Sequence, residues 1–295
     1  MNTLVTLSRG PLALTLAPGC GGSITHLQYY KTNGEKIPCL RAVETTLDDA
    51  LDGACFPLVP YVNRIGGGRF VFGGKEVTLP RNLDGDPSPL HGHGWRASWK
   101  VARQEQAEAE LVYRHDADEW PWDYEARQVF TLEAAALIVR LSCTNRSDAL
   151  MPCGLGLHPY FNCGPETLLD AIVESAWTID EHALPVEKVS ATGRYDLRSR
   201  RICGQDLDHG FGGWSGRARI DDPALPFALA LSAEGTRFLH IYSPPEGGFF
   251  AAEPVSHANG ALGAPESEWD ALGLNILGPG ESMAIGMRID LAARQ

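Results

Sequence analysis

The sequence predicts an all-β, mostly antiparallel sandwich, on three observations. Apolar and polar residues alternate with period two in segment after segment, as half-buried strands require. Helical periodicity is weak throughout. The 32 glycines and 20 prolines are spread along the whole chain, punctuating it with turns at close intervals.

The strands follow in order. Leu12, Leu14 and Leu16 alternate with Ala13, Thr15 and Ala17. Phe70 and Phe72 share a face, Gly73-Gly74 turns the chain, and Val77 and Leu79 resume, which reads as a hairpin because paired glycines supply the positive φ of a tight turn. Trp95, Ala97, Trp99 and Val101 suggest a further strand. Tyr124 to Leu132 and Leu137 to Cys143 form a neighbouring pair, and Phe238, His240 and Tyr242 share another strand face. Met283 to Leu291, behind the turn GPGES, closes the series. Residues 167–175 fit a helical turn or a strand equally well.

No Ser/Gly linker, charge run or fixed-period repeat divides the 295 residues, so a single domain over 1–295 is expected. A net charge of −12 disfavours nucleic acid and anionic lipid as partners. Neither a secretory leader nor an apolar run long enough to span a bilayer is visible. Seven cysteines without a CxxC argue against a disulfide framework or a zinc knuckle and suggest a reducing cytoplasm. Monomer and homodimer are both compatible with the sequence.

Candidate chemistry gathers at a few positions. His91 and His93 stand in LHGHGW. On a strand, two such rings would share a face and could begin a metal site, but the residues that follow supply no acid or histidine until Glu105. The flanking glycines suggest a turn presenting a ring to a cleft, and the plain alternative is a structural histidine. His158 lies in GLGLHPYFN. Pro159 forces it out of the α region, Gly154 and Gly156 remove bulk before it, and Tyr160 and Phe161 add aromatic surface suited to a sugar ring. A buried histidine bonded to backbone would look the same. Glu253 ends the apolar run Phe249 to Ala252, where partial desolvation would raise its pKa towards that of a general base, unless it is a surface acid. Arg64, after Asn63 in PLVPYVNRIGGGRF, offers a rigid fork to hydroxyls or to a structural carboxylate. The GGGR run lacks a P-loop's GxxxxGK[ST] and a following helix, so nucleotide binding has no support. Asp208, in DLDHGF, could accept from hydroxyls or cap a turn. Hydrolysis through Ser or Cys has no GxSxG elbow to rest on.

In this order PLVPYVNRIGGGRF, LHGHGW, PWDYEARQVF, NRSDALMPCGLGLHPYFN, DLDHGF, FFAAEPVSHANGAL and LGPGES, with an early APGCGGSITHL, resemble the aldose 1-epimerase (mutarotase) family, most closely a bacterial subgroup of aldose epimerase-like proteins. The resemblance implies a galactose mutarotase-like β-supersandwich with a monosaccharide cleft and no cofactor or metal. It implies His158 as general acid and Glu253 as general base, on opposite sides of a hemiacetal whose α and β anomers they interconvert. Arg64, His91, Asp208, Asn63, His93 and Tyr160 would bind the sugar. His93 stands where the family commonly has glycine, and AEPVSH replaces an ETQ-like segment; both bear on sugar identity. The arginine-bearing early motif of the hexose-6-phosphate branch is missing, which favours a free sugar over a phosphorylated one and leaves both open. A non-catalytic carbohydrate sensor on the same scaffold would keep Arg64, Asp208 and the aromatic walls without needing both proton-transfer groups. An epimerase of an unusual sugar, or a lyase sharing the sandwich, is a further possibility.

Overall fold

The structure, a computed structural model, describes residues 3–41, 43 and 47–294. They form β-strands joined by turns and six short 3₁₀ segments, with no α-helix among the described residues. No helix is long and apolar enough to cross a membrane. Every strand-to-strand ladder is antiparallel. A nine-stranded sheet is centred on Ser282–Ala292 and Ala136–Asn145, and a four-stranded sheet holds the first four strands. An eight-stranded sheet runs in the order Pro185–Ser190, Ser175–Ile179, Leu207–Gly212, Phe238–Ser243, Phe249–Val255, Gly156–Leu157 and Pro57–Leu58, with Tyr160–Asn162 also on Phe249–Val255.

The eight-stranded sheet has apolar residues on both faces, and the faces differ in purpose. Phe211, Leu239, Ile241, Phe250 and Ala252 belong to the main core, together with Phe130, Leu141 and Ile289 of the nine-stranded sheet. Burying such side chains contributes about 1.5–3 kcal/mol each. On the opposite face Phe238, Ala251 and Val255 join a smaller cluster with Phe56, Leu58, Val62, Trp95 and Tyr160. Glu253 and His240 share this second face, because side chains alternate along a strand.

Register then fixes a polar row. Gly210 pairs with His240, and His240 with Glu253. Gly156 pairs with Val255 and Tyr160 with Ala251, which brings His158 opposite Glu253. Pro159 lacks an N–H, so the ladder breaks there into Gly156–Leu157 and Tyr160–Asn162 without losing register. Gly210, His240, Glu253 and His158 thus lie side by side across four strand segments.

Several sequence expectations hold: the Gly73-Gly74 hairpin joins Arg69–Phe72 to Lys75–Thr78, with φ of 57° and 75° at its glycines. The ambiguous 167–175 segment contains a strand, Leu168–Ala171. All seven cysteines are free, and five are buried as small apolar side chains. One expected strand is absent. Trp95 to Val101 is not continuous, because Gly94–Arg96 is a 3₁₀ turn and pairing begins only at Lys100. Both tryptophans are anchored by indole N–H bonds, Trp95 to the Leu90 carbonyl at 3.0 Å and Trp99 to the Gly94 carbonyl at 2.8 Å. Their alternation reflects a packed loop rather than a pleat. Gly154 and Gly156 do remove bulk, but for packing: a Cβ on Gly154 would lie 2.0 Å from the His257 ring, and one on Gly156 would lie 2.9 Å from Leu58, Val62 and Val255.

Gly92 is the glycine on which the site loop turns. Its φ is +70°, and a Cβ there would meet the Val59 carbonyl oxygen at 2.2 Å. Gly74 also has positive φ, but nothing lies within 4 Å of its missing Cβ. Gly92→Ala is expected to cost about 2–4 kcal/mol and Gly74→Ala about 1 kcal/mol, read from urea midpoints. Equal costs would show that backbone crowding does not hold the loop.

Candidate active site

The centre of the polar row is a contact between buried ionisable groups. His158 Nε2 lies 3.2 Å from Glu253 Oε1, and the side chains are 7% and 2% exposed. Glu253 Oε2 and His158 Nδ1 are buried without a hydrogen-bond partner. Buried polar atoms are costly to leave without a partner, so a hydroxyl reaching either atom would be bound favourably. The His158 ring stacks on Phe56 at 4.5 Å and packs against Tyr160 at 4.5 Å. Tyr160 is in turn covered by the Arg41 guanidinium at 3.8 Å. The His158 N–H donates to the Phe56 carbonyl at 3.0 Å, so both backbone and ring are fixed.

Burial pushes Glu253 up to about 8; the positive charge of His240 opposes this and Asp208 adds to it. Burial likewise pushes His158 down to about 3, helped by the charge on His240. At neutral pH the pair therefore holds one proton, which rests mainly on the carboxyl group.

His91 completes this corner, its ring 5.4 Å from that of His158 and at 89° to it. The Asn63 N–H donates to His91 Nδ1 at 3.1 Å, and the His91 N–H donates to the Asn63 carbonyl at 3.0 Å. Both residues adopt positive φ, 56° for Asn63 and 60° for His91, uncommon outside glycine. With Nδ1 accepting and burial holding its pKa well below the usual range, His91 is neutral and its proton sits on Nε2.

The other side of the row is ionic. Arg64 Nε donates to Asp86 Oδ2 at 2.8 Å and Nη1 to Asp208 Oδ2 at 3.3 Å. Asp208 Oδ1 lies 2.7 Å from His240 Nε2. Burial would raise Asp208, but His240 and Arg64 outweigh it and hold the carboxyl at about 2. Asn63 Oδ1 accepts from the Arg64 N–H at 2.9 Å. Arg64 is therefore tied to two carboxylates and is not an unpaired guanidinium awaiting a ligand.

A family model described as aldose 1-epimerase matches residues 3–290. The chain belongs to the aldose 1-epimerase family. It is similar to the Escherichia coli protein YphB, whose name carries no assigned function, with 33% identity over 97% of this chain and 98% of that one. A second E. coli protein, YihR, shares 26% identity over 52% of this chain and 53% of its own. The crystal structure of an E. coli candidate aldose 1-epimerase superimposes with a TM-score of 0.87 at 32% identity, covering 98% of both chains. A galactose mutarotase-like protein of Clostridium acetobutylicum gives a TM-score of 0.82 at 18% identity over 96% of this chain and 93% of its own, a likeness of fold. The galactose mutarotase-like fold is thus shown.

In this family member, His158, Glu253, His91, Tyr160, Asn63, Asp208 and Arg64 come together as a connected set. His93 does not join them. It stacks on His115 at 4.4 Å with ring planes 3° apart, and its Nδ1 lies 3.3 Å from the Tyr124 hydroxyl. A turn at Gly92 sends the two histidines of LHGHGW to different neighbours, which a strand would not do. His93, His115 and Asp118 offer ligand atoms within 4.8 Å of one another, as do His91, His158 and Glu253. In the first group the parallel ring planes aim their lone pairs side by side instead of at a common point. The second group is the His158–Glu253 contact itself, with His91 beside it and its Nδ1 taken by the Asn63 N–H.

Sequence reasoning did not single out His240, Asp86, Arg41 or His257. His257 accepts from the Val62 N–H at 3.0 Å through Nε2, and its Nδ1 lies 2.8 Å from the Ala258 carbonyl, so it supports the Asn63 loop. The period-two pattern put His240 on the face of Phe238 and Tyr242, but only pairing with Glu253 and Asp208 reveals its place.

The raised Glu253 has a consequence for stability. Between its ordinary value of 4.5 and about 8 the folded protein holds a proton that the unfolded chain has lost, so stability falls as pH rises through that window. Glu253→Gln removes the ionisation. Its melting temperature is expected to gain on wild type by about 5–8 °C between pH 5 and pH 9. A gap that narrows with pH would contradict a desolvated carboxyl.

Proposed function

We propose that this protein is an aldose 1-epimerase acting on a free monosaccharide, with His158 as acid and Glu253 as base. The reading is carried by the buried contact between these two groups, each with an unpartnered atom. Conversion of one anomer to the other needs two proton transfers. A base takes the proton from the anomeric hydroxyl, an acid protonates the ring oxygen, and the C1–O5 bond breaks to give the aldehyde. Rotation about C1–C2 and closure on the other face reverse the steps. The resemblance implied an acid and a base facing each other across the sugar; instead they touch at 3.2 Å, so both must reach the hemiacetal from the same side, which its two oxygens on one carbon allow.

The proton economy follows from the shared proton. The pair begins with one proton and ends with one, since the base gains what the acid gives. The active form places it on His158, and reaching that form from the resting carboxylic acid is a transfer along the contact itself. His91, neutral with its proton on Nε2, donates to a sugar oxygen without competing as a base. Asp208, held in place by Arg64, presents its charge to the hydroxyls further round the ring. Tyr160 supplies an aromatic wall, and a cytoplasmic location fits the seven free cysteines.

Anomer-resolved NMR or polarimetry of freshly dissolved glucose, galactose and deoxy sugars tests the activity. His158→Asn and Glu253→Gln should each lower kcat by about 10²–10⁴-fold with the fold intact. Wild-type rates in either variant would remove that residue from the mechanism. In wild type, kcat/KM should be bell-shaped in pH. It should fall above about 8, where the pair loses its only proton, and again in acid, where it gains a second. A rate that keeps rising through pH 9 would contradict the one-proton pair.

A further inference from the structure

His240 has no part in the acid–base steps above, yet it is buried and stands directly opposite the base. Its strand register pairs it with Glu253 on one side and with Gly210 on the other. Directly opposed side chains in an antiparallel pair have Cβ atoms about 4.5–5.5 Å apart. Gly210 contributes no side chain, so the ring has room to lean towards Asp208, which it meets at 2.7 Å. That carboxylate is itself held by Arg64. Asn63 Nδ2 lies 3.2 and 3.4 Å from the two ring nitrogens, nearly equidistant, which places it above the ring and not along one lone pair. The polar row is therefore a built array: Asp208, then His240, then Glu253, then His158.

We propose that His240 is a positioning residue, an imidazolium pinned by Asp208 that faces Glu253 across the strand and biases the base towards its carboxylate form. This rests on the acid–base reading of Glu253 and His158 and adds a residue to it. Burial alone would discharge the ring; Asp208, ionised throughout, opposes burial and Arg64, and Glu253 adds to it once its own carboxyl ionises, so the ring is raised above its ordinary value. The charged and titratable groups facing this region are Asp208, Arg64 with Asp86, His91, His158, His209, Cys55, Tyr160, Tyr242 and Arg41. Of these, Asp208 makes Glu253 harder to ionise and Arg64 makes it easier. His240 is the largest favourable influence on the Glu253 carboxylate, and it also disfavours a proton on His158. Its effect on the pair is therefore one-directional: it makes the shared proton easier to lose, and a second proton harder to gain.

His240→Gln keeps a donor for Asp208 and removes the charge. With a sugar that wild type turns over, both limbs of the kcat/KM profile should move to higher pH by about one unit, because the pair then holds protons more tightly. A merely structural or sugar-contacting His240 would change the height of the profile, or KM, and leave the limbs in place; that result overturns the proposal. Ring ¹⁵N spectra of the wild-type protein give a second test that requires no folded variant. One buried histidine should keep its second proton to higher pH than an ordinary imidazole, without sugar present. A spectrum in which every buried ring is already neutral at pH 6 also overturns the proposal. If wild type accelerates no anomerisation while an imidazolium is seen, the functional reading fails and the charge assignment stands.

Discussion

A carboxylate and an imidazole in contact, both removed from water, set the terms for the rest of this molecule. Left to burial, such a pair takes its neutral form, with the proton on the carboxyl group. An ionic pair at the same place needs compensation, which His240 and Arg64 give to the Glu253 carboxylate and Asp208 to the His158 imidazolium. Asn63 fixes the tautomer of His91. Asp208 and Arg64 form an ion pair at the row's other end, and His240 joins that pair to the base. Positive φ at Asn63 and His91 and the crowded backbone at Gly92 are the conformational cost of this arrangement.

The sheet explains how distant parts of the chain meet with little freedom. Residues 158, 210, 240 and 253 are scattered in sequence, yet adjacent strands in fixed register make them neighbours. A slip of one residue in Phe249–Val255 would turn Glu253 into the main core and bring Ala252 to the site. The same alternation that buries Phe250 and Ala252 therefore aims the base. Hydrophobic packing on one face holds the geometry of the chemistry on the other.

Much of the architecture was legible in the sequence because strand alternation is local. The long strands around Tyr124, Leu137, Phe238 and Met283 announce themselves by period two. The Trp95 to Val101 segment misled for the same reason: two tryptophans four apart can equally be loop anchors, and their indole hydrogen bonds are invisible in sequence. Pro159 after His158 was informative, since it both extends the residue before it and interrupts a ladder. The glycines at 154 and 156 were readable as small but not for whom, because His257 and Val62 come from elsewhere in the chain. His240 was the hardest to see. Alternation assigns its face, whereas its partners Asp208 and Glu253 are set by non-local register. His93 looked equivalent to His91 until the left-handed turn between them sent it to His115.

The central claim, that Glu253 and His158 share a single proton resting on the carboxyl group at neutral pH, is most directly tested by infrared difference spectroscopy of wild type against Glu253→Gln. A protonated carboxyl band present at pH 7, absent from the variant and disappearing near pH 8 is the result this account predicts. A Glu253 already ionised at pH 6, with no such band to lose, would contradict it.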